Sequence, residues 1–354
     1  MAKDWNPEAV AQAREKLKQS SKRAQGRKRI EPAWTTRNTV QLIATLLTNP
    51  HLPNFVKGTL YQGKIKQVCV PGLNCYSCPA ATGACPIGAF QAVVGSSKFN
   101  FSYYVTGLLI FIGLMVGRLI CGFACPFGWF QDLLHKIPSK KISTQKVKPL
   151  RYLKYLILLV AVVALPILVT DKVGMGAPYF CKYICPQGIL EGGIPLSLVN
   201  QSIRATLGTL FTWKFAILAV ILVGSIFIYR PFCKWICPLG AFYALLNKWS
   251  FFQYEVDPDA CIGCGKCKRI CHMDVDITKN AAHTECIRCG ECAKVCPTGA
   301  IHRRFGLAKA DSQPKADSQP KADFQPKVDF QPKVDSKRKA SSQVLKPRPL
   351  VEKN

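Results

Sequence analysis

The sequence predicts a helical membrane domain with about four transmembrane helices, followed by a small α+β domain and a disordered tail. Hydrophobic residues make up 49% of the chain although its formal net charge is +28, a combination typical of membrane proteins with basic cytoplasmic loops. The 18 cysteines fall into spaced groups and are too many for an ordinary soluble enzyme. Nucleic-acid binding, the usual interpretation of such basicity, is disfavoured because the charges flank apolar stretches instead of forming one face.

The N-terminal segment, residues 1–37, is polar and basic. Asn6-Pro7-Glu8 is a helix-start pattern, and a helix to about Gln25 is expected. The basic cluster Arg27-Lys28-Arg29 that follows indicates a cytoplasmic segment near anionic lipid, although a solvated tail is equally consistent with it. The first apolar run lies too far into the chain for a signal peptide.

The membrane domain, residues 38–250, contains four apolar stretches. An apolar bilayer core of about 30 Å needs about 20 helical residues. The stretch that begins at residue 38 is the weakest because prolines cut it short, and Lys154 and Lys214 are expected to extend their ammonium groups to the membrane surface. The predicted spans are 38–56, 99–117, 152–170 and 206–229.

Orientation follows from the lysines and arginines concentrated in residues 136–154, which should be cytoplasmic. Four spans then put both termini in the cytoplasm of a bacterial cytoplasmic membrane and leave the loops 57–98 and 171–205 outside. If the first span does not cross, the N-terminus moves to the other side and the rest is unchanged.

An internal repeat relates residues 118–136 to residues 230–248, at a constant offset of 112 positions. Each copy contains a C-x3-C-P-x-G turn, predicted to lie at the cytoplasmic end of a span. The two turns supply four thiolates, Cys121, Cys125, Cys233 and Cys237, which is the number that one iron–sulfur cube requires.

The C-terminal domain, residues 251–305, contains two C-x2-C-x2-C-x3-C runs. This is the spacing of bacterial two-cluster ferredoxins, in which the fourth cysteine of each run ligates the other cluster. A zinc site or a disulfide network fits two matched runs of this kind poorly. His272 stands where the second run has Pro297, but no ligand is lost. The predicted ligand sets for two [4Fe–4S] clusters are Cys261, Cys264, Cys267 and Cys296, and Cys286, Cys289, Cys292 and Cys271.

Six further cysteines lie in the two loops predicted to be outside. Cys85-Pro86-x-Gly88 and Cys185-Pro186-x-Gly188 repeat the turn motif. We expect a cluster held by four of the six, with the other two free or joined by a disulfide, so that the membrane domain would hold one or two clusters; disulfide pairing of all six is the alternative. The six are Cys69, Cys75, Cys78, Cys85, Cys181 and Cys185.

The C-terminal tail, residues 306–354, repeats a six-residue unit rich in proline, lysine and aspartate, so it is expected to be disordered.

The sequence has no G-x-G-x-x-G or P-loop motif and no histidine–serine or histidine–carboxylate constellation. We therefore expect no catalytic residues and no catalytic pocket, and an exchange of electrons with another protein instead of a nucleotide.

The paired C-x3-C-P turns at 121–126 and 233–238, together with the double cysteine run at 261–297, resemble membrane-bound polyferredoxins related to the NapH and MauN proteins. The resemblance implies an electron-transfer subunit of an inner-membrane oxidoreductase complex, often connecting the quinone pool with a partner reductase. The expected function is to pass electrons between a cytoplasmic or quinol donor and a redox partner at or across the membrane. An accessory protein for cofactor assembly and a redox-sensing regulator are the alternatives.

Overall fold

The structure, a computed structural model, describes residues 36–96, 102–172, 174–258 and 260–306. Nearly all of the predicted N-terminal segment and tail lies outside the described residues. The α-helices are Thr36–Thr48, Asn54–Lys57, Pro86–Gly95, Tyr103–Val116, Leu119–Phe123, Pro126–His135, Leu153–Ile157, Leu165–Leu168, Ile194–Val199, Gln201–Ala205, Thr209–Phe227, Pro231–Trp235, Pro238–Leu246, Lys266–Ile270 and Glu291–Lys294; the 3-10 helices are Lys64–Gln67 and Gln145–Tyr152, and the π-helices are Leu158–Ala164, Phe180–Ile184 and Ile189–Gly193.

Two helical stretches are long and apolar enough to cross a membrane, namely Val147–Leu168 and Thr209–Phe227, with mean hydropathies of 2.0 and 2.1. They coincide with the predicted spans 152–170 and 206–229. Most of their apolar side chains are not covered by protein; Val220, for example, is 73% exposed. By length, composition and uncovered apolar surface, the two helices favour association with a membrane.

The other two predicted spans are not continuous helices of that length. Span 38–56 contains the helix Thr36–Thr48 and, after a break at two prolines, the short helix Asn54–Lys57, because proline cannot continue a helix interior. Span 99–117 contains the apolar helix Tyr103–Val116, which has 14 residues. Its preceding residues, 97–101, lie outside the described part of the chain, and both spans stay predictions.

The two copies of the repeat share one local structure, a short helix, a Cys-Pro step and a second helix. The first helices are Leu119–Phe123 and Pro231–Trp235, and the second are Pro126–His135 and Pro238–Leu246. Each second helix begins with the proline of the motif, which suits a first helical position because its missing N–H would have no partner there. The cysteine before that proline is extended and caps the helix.

The C-terminal segment is an α+β arrangement. The strands Phe252–Val256 and Ile301–Phe305 pair antiparallel, with Phe252 opposite Phe305. Between them in the chain lie the short helices Lys266–Ile270 and Glu291–Lys294. The paired strands bring the two ends of the cysteine-rich segment together.

One continuous core of buried side chains connects the loops, the repeat and the C-terminal segment. It includes Cys85 and Cys185 from the loops, Cys125 and Cys237 from the repeat, and Ile287 from the C-terminal segment. Cysteines from the loops and from the repeat therefore share one apolar interior, and Cys271 and Cys289 of the C-terminal segment pack against it.

Candidate iron–sulfur sites

Two cavities in the C-terminal segment are each bordered by four predicted ligands. Their linings follow the crossed pattern, in which the last cysteine of each run joins the other run. The first cavity, with a volume of ≈ 230 Å³, is lined by Cys261, Cys264, Cys267 and Cys296, which we call the first ferredoxin group. The second is lined by Cys271, Cys286, Cys289 and Cys292, the second ferredoxin group, and also by Cys267.

Glycines allow both cysteine runs to turn around these cavities. Gly265 and Gly290 follow the second cysteine of their runs and have φ angles of 66° and 78°. In both runs this glycine caps the short helix that carries the third cysteine. A side chain would disfavour this left-handed conformation, so the residue type follows from the turn.

Burial, neighbouring sulfur charges and hydrogen bonds shift the pKa values of the thiols in the ferredoxin groups. Burial raises the pKa of Cys292 to about 12, and the charges of Cys286, Cys289 and Cys271 add to that rise, as expected for four neighbouring sulfurs. Burial also acts on Cys296, but its pKa is lowered because the Thr298 hydroxyl and nearby backbone N–H groups stabilise its thiolate. A bound cation would deprotonate the raised thiols outright, so the donor set fits an iron–sulfur cluster.

The four cysteines of the repeat also come together, and we call Cys121, Cys125, Cys233 and Cys237 the turn group. All four are buried. Burial, followed by the charges of Cys233 and Cys121, raises the pKa of Cys125 to about 12. Burial and the charges of the other three raise the pKa of Cys237. These mutual effects indicate that the two turns face each other; their role as cluster ligands stays a prediction.

Hydrogen bonds to sulfur and reciprocal arginine contacts support the turn group. The Gly240 N–H lies 3.3 Å from Cys237 Sγ, and Gln131 Nε2 lies 3.2 Å from Cys233 Sγ. Arg230 donates to the carbonyl oxygen of Cys121 at 2.5 Å, and Arg118 donates to that of Cys233 at 3.4 Å. Each arginine thus crosses to the other copy of the repeat.

The glycines of the two C-P-x-G motifs lie against these arginines, which are both fully buried. A Cβ atom on Gly128 would lie 3.2 Å from Nη1 of Arg230, which is a tight contact. One on Gly240 would lie 3.5 Å from Nη2 of Arg118, which is an ordinary van der Waals distance. Gly128 therefore serves packing between the two turns.

Two carboxylates neutralise the buried arginines. Arg230 Nε lies 2.6 Å from Asp132 Oδ1, and Arg118 Nη1 lies 2.7 Å from Glu285 Oε2. Lys154 Nζ also lies 2.5 Å from Glu285 Oε2. Burial opposes ionisation of Glu285, but the charges of Arg118 and Lys154 outweigh it and lower its pKa to about 2.

These ion pairs correct one expectation and add residues that the sequence analysis missed. Lys154 does not extend to a membrane surface; it is fully buried because Glu285 compensates its charge. Lys214 is half-buried and donates a hydrogen bond to the carbonyl oxygen of Cys181 at 3.1 Å; its extension to the membrane surface stays a prediction. Asp132 and Glu285 carried no local signal for these roles, because their partners lie far away in the chain.

The second ferredoxin group packs directly against the turn group. A Cβ atom on Gly122 would lie only 2.7 Å from the carbonyl oxygen of Ile287. Asn247 Oδ1 accepts a hydrogen bond from the backbone N–H of Arg118 at 3.1 Å. Its Nδ2 donates to the Cys286 carbonyl oxygen, also at 3.1 Å. The loop between Cys286 and Cys289 is therefore held on the turn that contains Cys121.

Four of the six loop cysteines form another group, Cys75, Cys85, Cys181 and Cys185, which we call the loop group. Burial raises the pKa of Cys181, and the charges of Cys185, Cys85 and Cys75 raise it further. Burial and then Cys85 raise the pKa of Cys185 to about 11. All 18 cysteines are free thiols in the structure.

The remaining loop cysteines have different surroundings. Burial raises the pKa of Cys69, and no other thiol contributes to this shift. Cys78 is 1% exposed, and its Sγ lies 3.6 Å from Asn49 Oδ1. Burial, then Glu191 and, more weakly, Cys75 raise its pKa to about 12.

The cysteine groups are not arranged as the ligands of a single metal ion. Within residues 36–96, 102–172, 174–258 and 260–306, no three Cys, His, Asp or Glu side chains converge on the position of one metal ion. In a [4Fe–4S] cube each iron takes one thiolate, so four cysteines surround a larger volume.

The loop group and the turn group lie closer together than the predicted topology implied. A Cβ atom on Gly72 would lie 2.8 Å from the carbonyl oxygen of Ala124 and 3.0 Å from Cα of Cys125. Buried Tyr243 interacts electrostatically with Cys121, Cys125 and Cys85. The sequence placed these groups on opposite faces of a bilayer core about 30 Å thick. In the structure, the loop folds back onto the turn.

Comparison with known families assigns cofactor chemistry to these segments. One profile, described as a 4Fe-4S binding domain, matches residues 83–104, 101–145, 155–194 and 210–252, and a second 4Fe-4S binding domain matches residues 283–302. Each segment matched by the first profile contains one Cys-Pro turn, so the loop turns and the repeat turns match the same profile.

Curated relatives share part of the chain. An uncharacterized protein of Methanocaldococcus jannaschii is 29% identical over 50% of this chain and 68% of its own length. The putative electron transport protein YccM of Escherichia coli is 26% identical over 48% of this chain and 45% of its own. The methylamine utilization ferredoxin-type protein MauN of Paracoccus denitrificans is 27% identical over 54% of each. The chain thus spans about half to two thirds of these relatives. No solved structure matches.

Proposed function

We propose a function from the premise that this chain is an iron–sulfur protein with 4Fe-4S binding domains, related to the ferredoxin-type proteins that include MauN. We infer that it is a membrane-bound electron carrier between a cytoplasmic or quinol donor and a redox partner protein. Bound [4Fe–4S] clusters would supply one-electron storage, and the protein would supply their ligands, their spacing and their insulation from water.

The observation that carries this proposal is one common core that holds cysteines of two groups and contacts cysteines of a third. Cys85, Cys125 and Cys237 are members of this core, and Cys271 and Cys289 pack against it. Cys267, Cys292 and Cys296 belong to or pack against the neighbouring core below the strands. This arrangement supports a series of redox sites from the first ferredoxin group, through the second, to the turn group.

The first ferredoxin group is suited to meeting a soluble partner. Cys261 and Cys264 are partly exposed and pack against neither core, whereas the second ferredoxin group packs against the common core and the turn group is buried. Partial exposure brings a redox site within reach of another protein, and burial protects an internal one from water. We therefore propose that the partner docks at the first ferredoxin group, and that membrane lipid surrounds the two apolar helices.

Cys264→Ala in the full-length, anaerobically purified protein tests the proposal. Cys264 borders the first cavity and belongs to neither hydrophobic core, so its replacement should not disturb the fold. We expect a loss of about four irons per chain, since four thiolates hold one cube, together with loss of one reduced [4Fe–4S] EPR component. The exposed Ser102→Ala variant is the matched control. Unchanged iron and an unchanged spectrum in Cys264→Ala would overturn the ligand assignment.

The same variant distinguishes a carrier from an accessory protein for cofactor assembly. In cells, Cys264→Ala in a carrier should stop electron flow to an already assembled partner enzyme. In an accessory protein, it should leave that partner without its cofactor. Cofactor content of the isolated partner, measured beside its turnover with an artificial electron donor, separates the two functions; full cofactor and full artificial turnover support the carrier.

A further inference from the structure

The loop group and the turn group share a detailed structural pattern. Six residues after Cys125, Gln131 donates an amide hydrogen bond to Cys233 Sγ at 3.2 Å. Six residues after Cys85, Gln91 donates the same type of bond to Cys181 Sγ at 3.1 Å. In both cases the acceptor is the first cysteine of the opposing C-x3-C-P turn. The same construction therefore appears twice.

This correspondence shows which ligand the loop turns lack. Cys85, Cys181 and Cys185 take the places of Cys125, Cys233 and Cys237. The place of Cys121, four residues before the Cys-Pro step, is occupied by Ala81. The turns alone would supply three thiols, one fewer than a cube requires.

Cys75 supplies a fourth thiol from the preceding loop. Its Sγ lies 3.5 Å from where a Cβ atom on Gly188 would be, next to the turn of Cys185. Gly88, the corresponding glycine of the Cys85 turn, lies similarly close to Cys181 Sγ, at 3.8 Å. Both turn glycines thus border a sulfur atom of the loop group.

Polar contacts hold Cys75 and provide positive charge beside it. The Cys75 N–H donates to Glu191 Oε2 at 2.9 Å, and Glu191 occupies the sixth position after Cys185. The Lys214 ammonium group lies close to Gly188, and its charge favours the thiolates of Cys75 and Cys185. A cluster with four thiolates is stabilised by such a neighbouring cation.

We propose that Cys75, Cys85, Cys181 and Cys185 hold a fourth [4Fe–4S] cluster, and that Cys69 and Cys78 are not ligands. The site rests on the proposed function only in using the same cofactor, and its ligand set is independent of the other three. It would extend the series of redox sites by one position, on the far side of Tyr243 from the turn group.

Alanine variants of the full-length protein, purified anaerobically in detergent, test the ligand set by iron and sulfide content and by Mössbauer and EPR spectra. Cys75→Ala and Cys181→Ala should each lose about four irons per chain. The matched controls Cys69→Ala and Cys78→Ala should keep the full content. Iron retained at the other three groups shows that the variants are folded.

The outcomes separate this proposal from the electron-carrier proposal. Full iron content in Cys75→Ala, or loss of a cluster in Cys69→Ala or Cys78→Ala, overturns the ligand set while leaving the other groups intact. A partner enzyme that lacks its own cofactor in cells carrying Cys264→Ala overturns the carrier proposal instead. As a second readout, Gln91→Leu should keep its iron and shift one midpoint potential to a more negative value, because it removes a hydrogen bond to a ligating sulfur. An unchanged set of potentials would contradict that.

Discussion

The two copies of the repeat hold equivalent cysteines, but the carboxylates that neutralise their buried arginines lie in different segments of the chain. Arg230 pairs with Asp132, which belongs to the first copy. Arg118 pairs with Glu285, which belongs to the C-terminal segment and directly precedes Cys286. The second copy has Ala244 at the position equivalent to Asp132. The turn group is therefore electrostatically complete only when the C-terminal segment is in place.

A second pair of equivalent positions has diverged toward the same segment. Gly122 leaves space for the backbone of Ile287, whereas its counterpart Lys234 reaches Asp274 Oδ2 at 3.0 Å. The two copies thus contact the C-terminal segment by different means, one by close packing and one by charge. The two copies of the repeat therefore differ most clearly at the positions where they contact the C-terminal segment.

Glu285→Gln should have the largest effect on this comparison. It leaves Arg118 and Lys154 buried without a carboxylate, and breaking a buried pair in this way costs about 3–5 kcal/mol. Thermal unfolding of the detergent-solubilised protein, followed by the iron–sulfur absorbance, measures the effect. Glu291→Gln, which removes an exposed pair with Lys294, should cost less than about 1 kcal/mol. Equal stability of the two variants would contradict the role of Glu285.

Gly122→Ala should have an intermediate effect, because its Cβ atom would meet the Ile287 carbonyl oxygen at 2.7 Å. Overpacking of this kind costs about 1–3 kcal/mol. We expect faster proteolytic release of the C-terminal segment and a lower unfolding temperature. Gly107→Ala is the control, since nothing lies within 4 Å of its Cβ position. If the two variants show the same proteolysis rate and the same unfolding temperature, the close contact between Gly122 and Ile287 does not contribute to stability.

Tyr243→Phe should have the smallest effect. Tyr243 stands at the position equivalent to Gln131, and its hydroxyl donates to the Pro71 carbonyl oxygen at 3.0 Å. Losing one buried hydrogen bond costs about 1 kcal/mol, while the ring continues to fill the space between the turn and loop groups. Tyr104→Phe, at a half-exposed position, should cost nothing measurable in the same unfolding assay. A loss above about 3 kcal/mol in Tyr243→Phe would mean that the hydroxyl has another role.

Spacing and periodicity predicted much of this molecule, because they describe local geometry. The C-x2-C-x2-C-x3-C runs predicted both ferredoxin groups, and the structure lines one cavity with each. The offset of the repeat predicted that two turns would combine. The apolar stretches 152–170 and 206–229 predicted the two long helices that the structure contains.

Contacts between residues that are far apart in the chain could not be predicted from the local sequence pattern. Nothing near Glu285 indicates that it neutralises Arg118, which lies 167 residues away. The choice of Cys75 instead of Cys69 or Cys78 also depends on how the loop folds. One signal was overlooked: Gln91, Gln131, Glu191 and Tyr243 all occupy the sixth position after the cysteine of a Cys-Pro step, and each makes a hydrogen bond through its side chain.

The position of Glu285 has a consequence for biosynthesis. Residue 285 is translated well after residues 118 and 154, so a nascent chain holds Arg118 and Lys154 without their acidic partner until then. Two unneutralised cations in an apolar interior disfavour tight closure of the helices. We therefore expect the helices around Arg118 and Lys154 to pack tightly only after Glu285 has joined them.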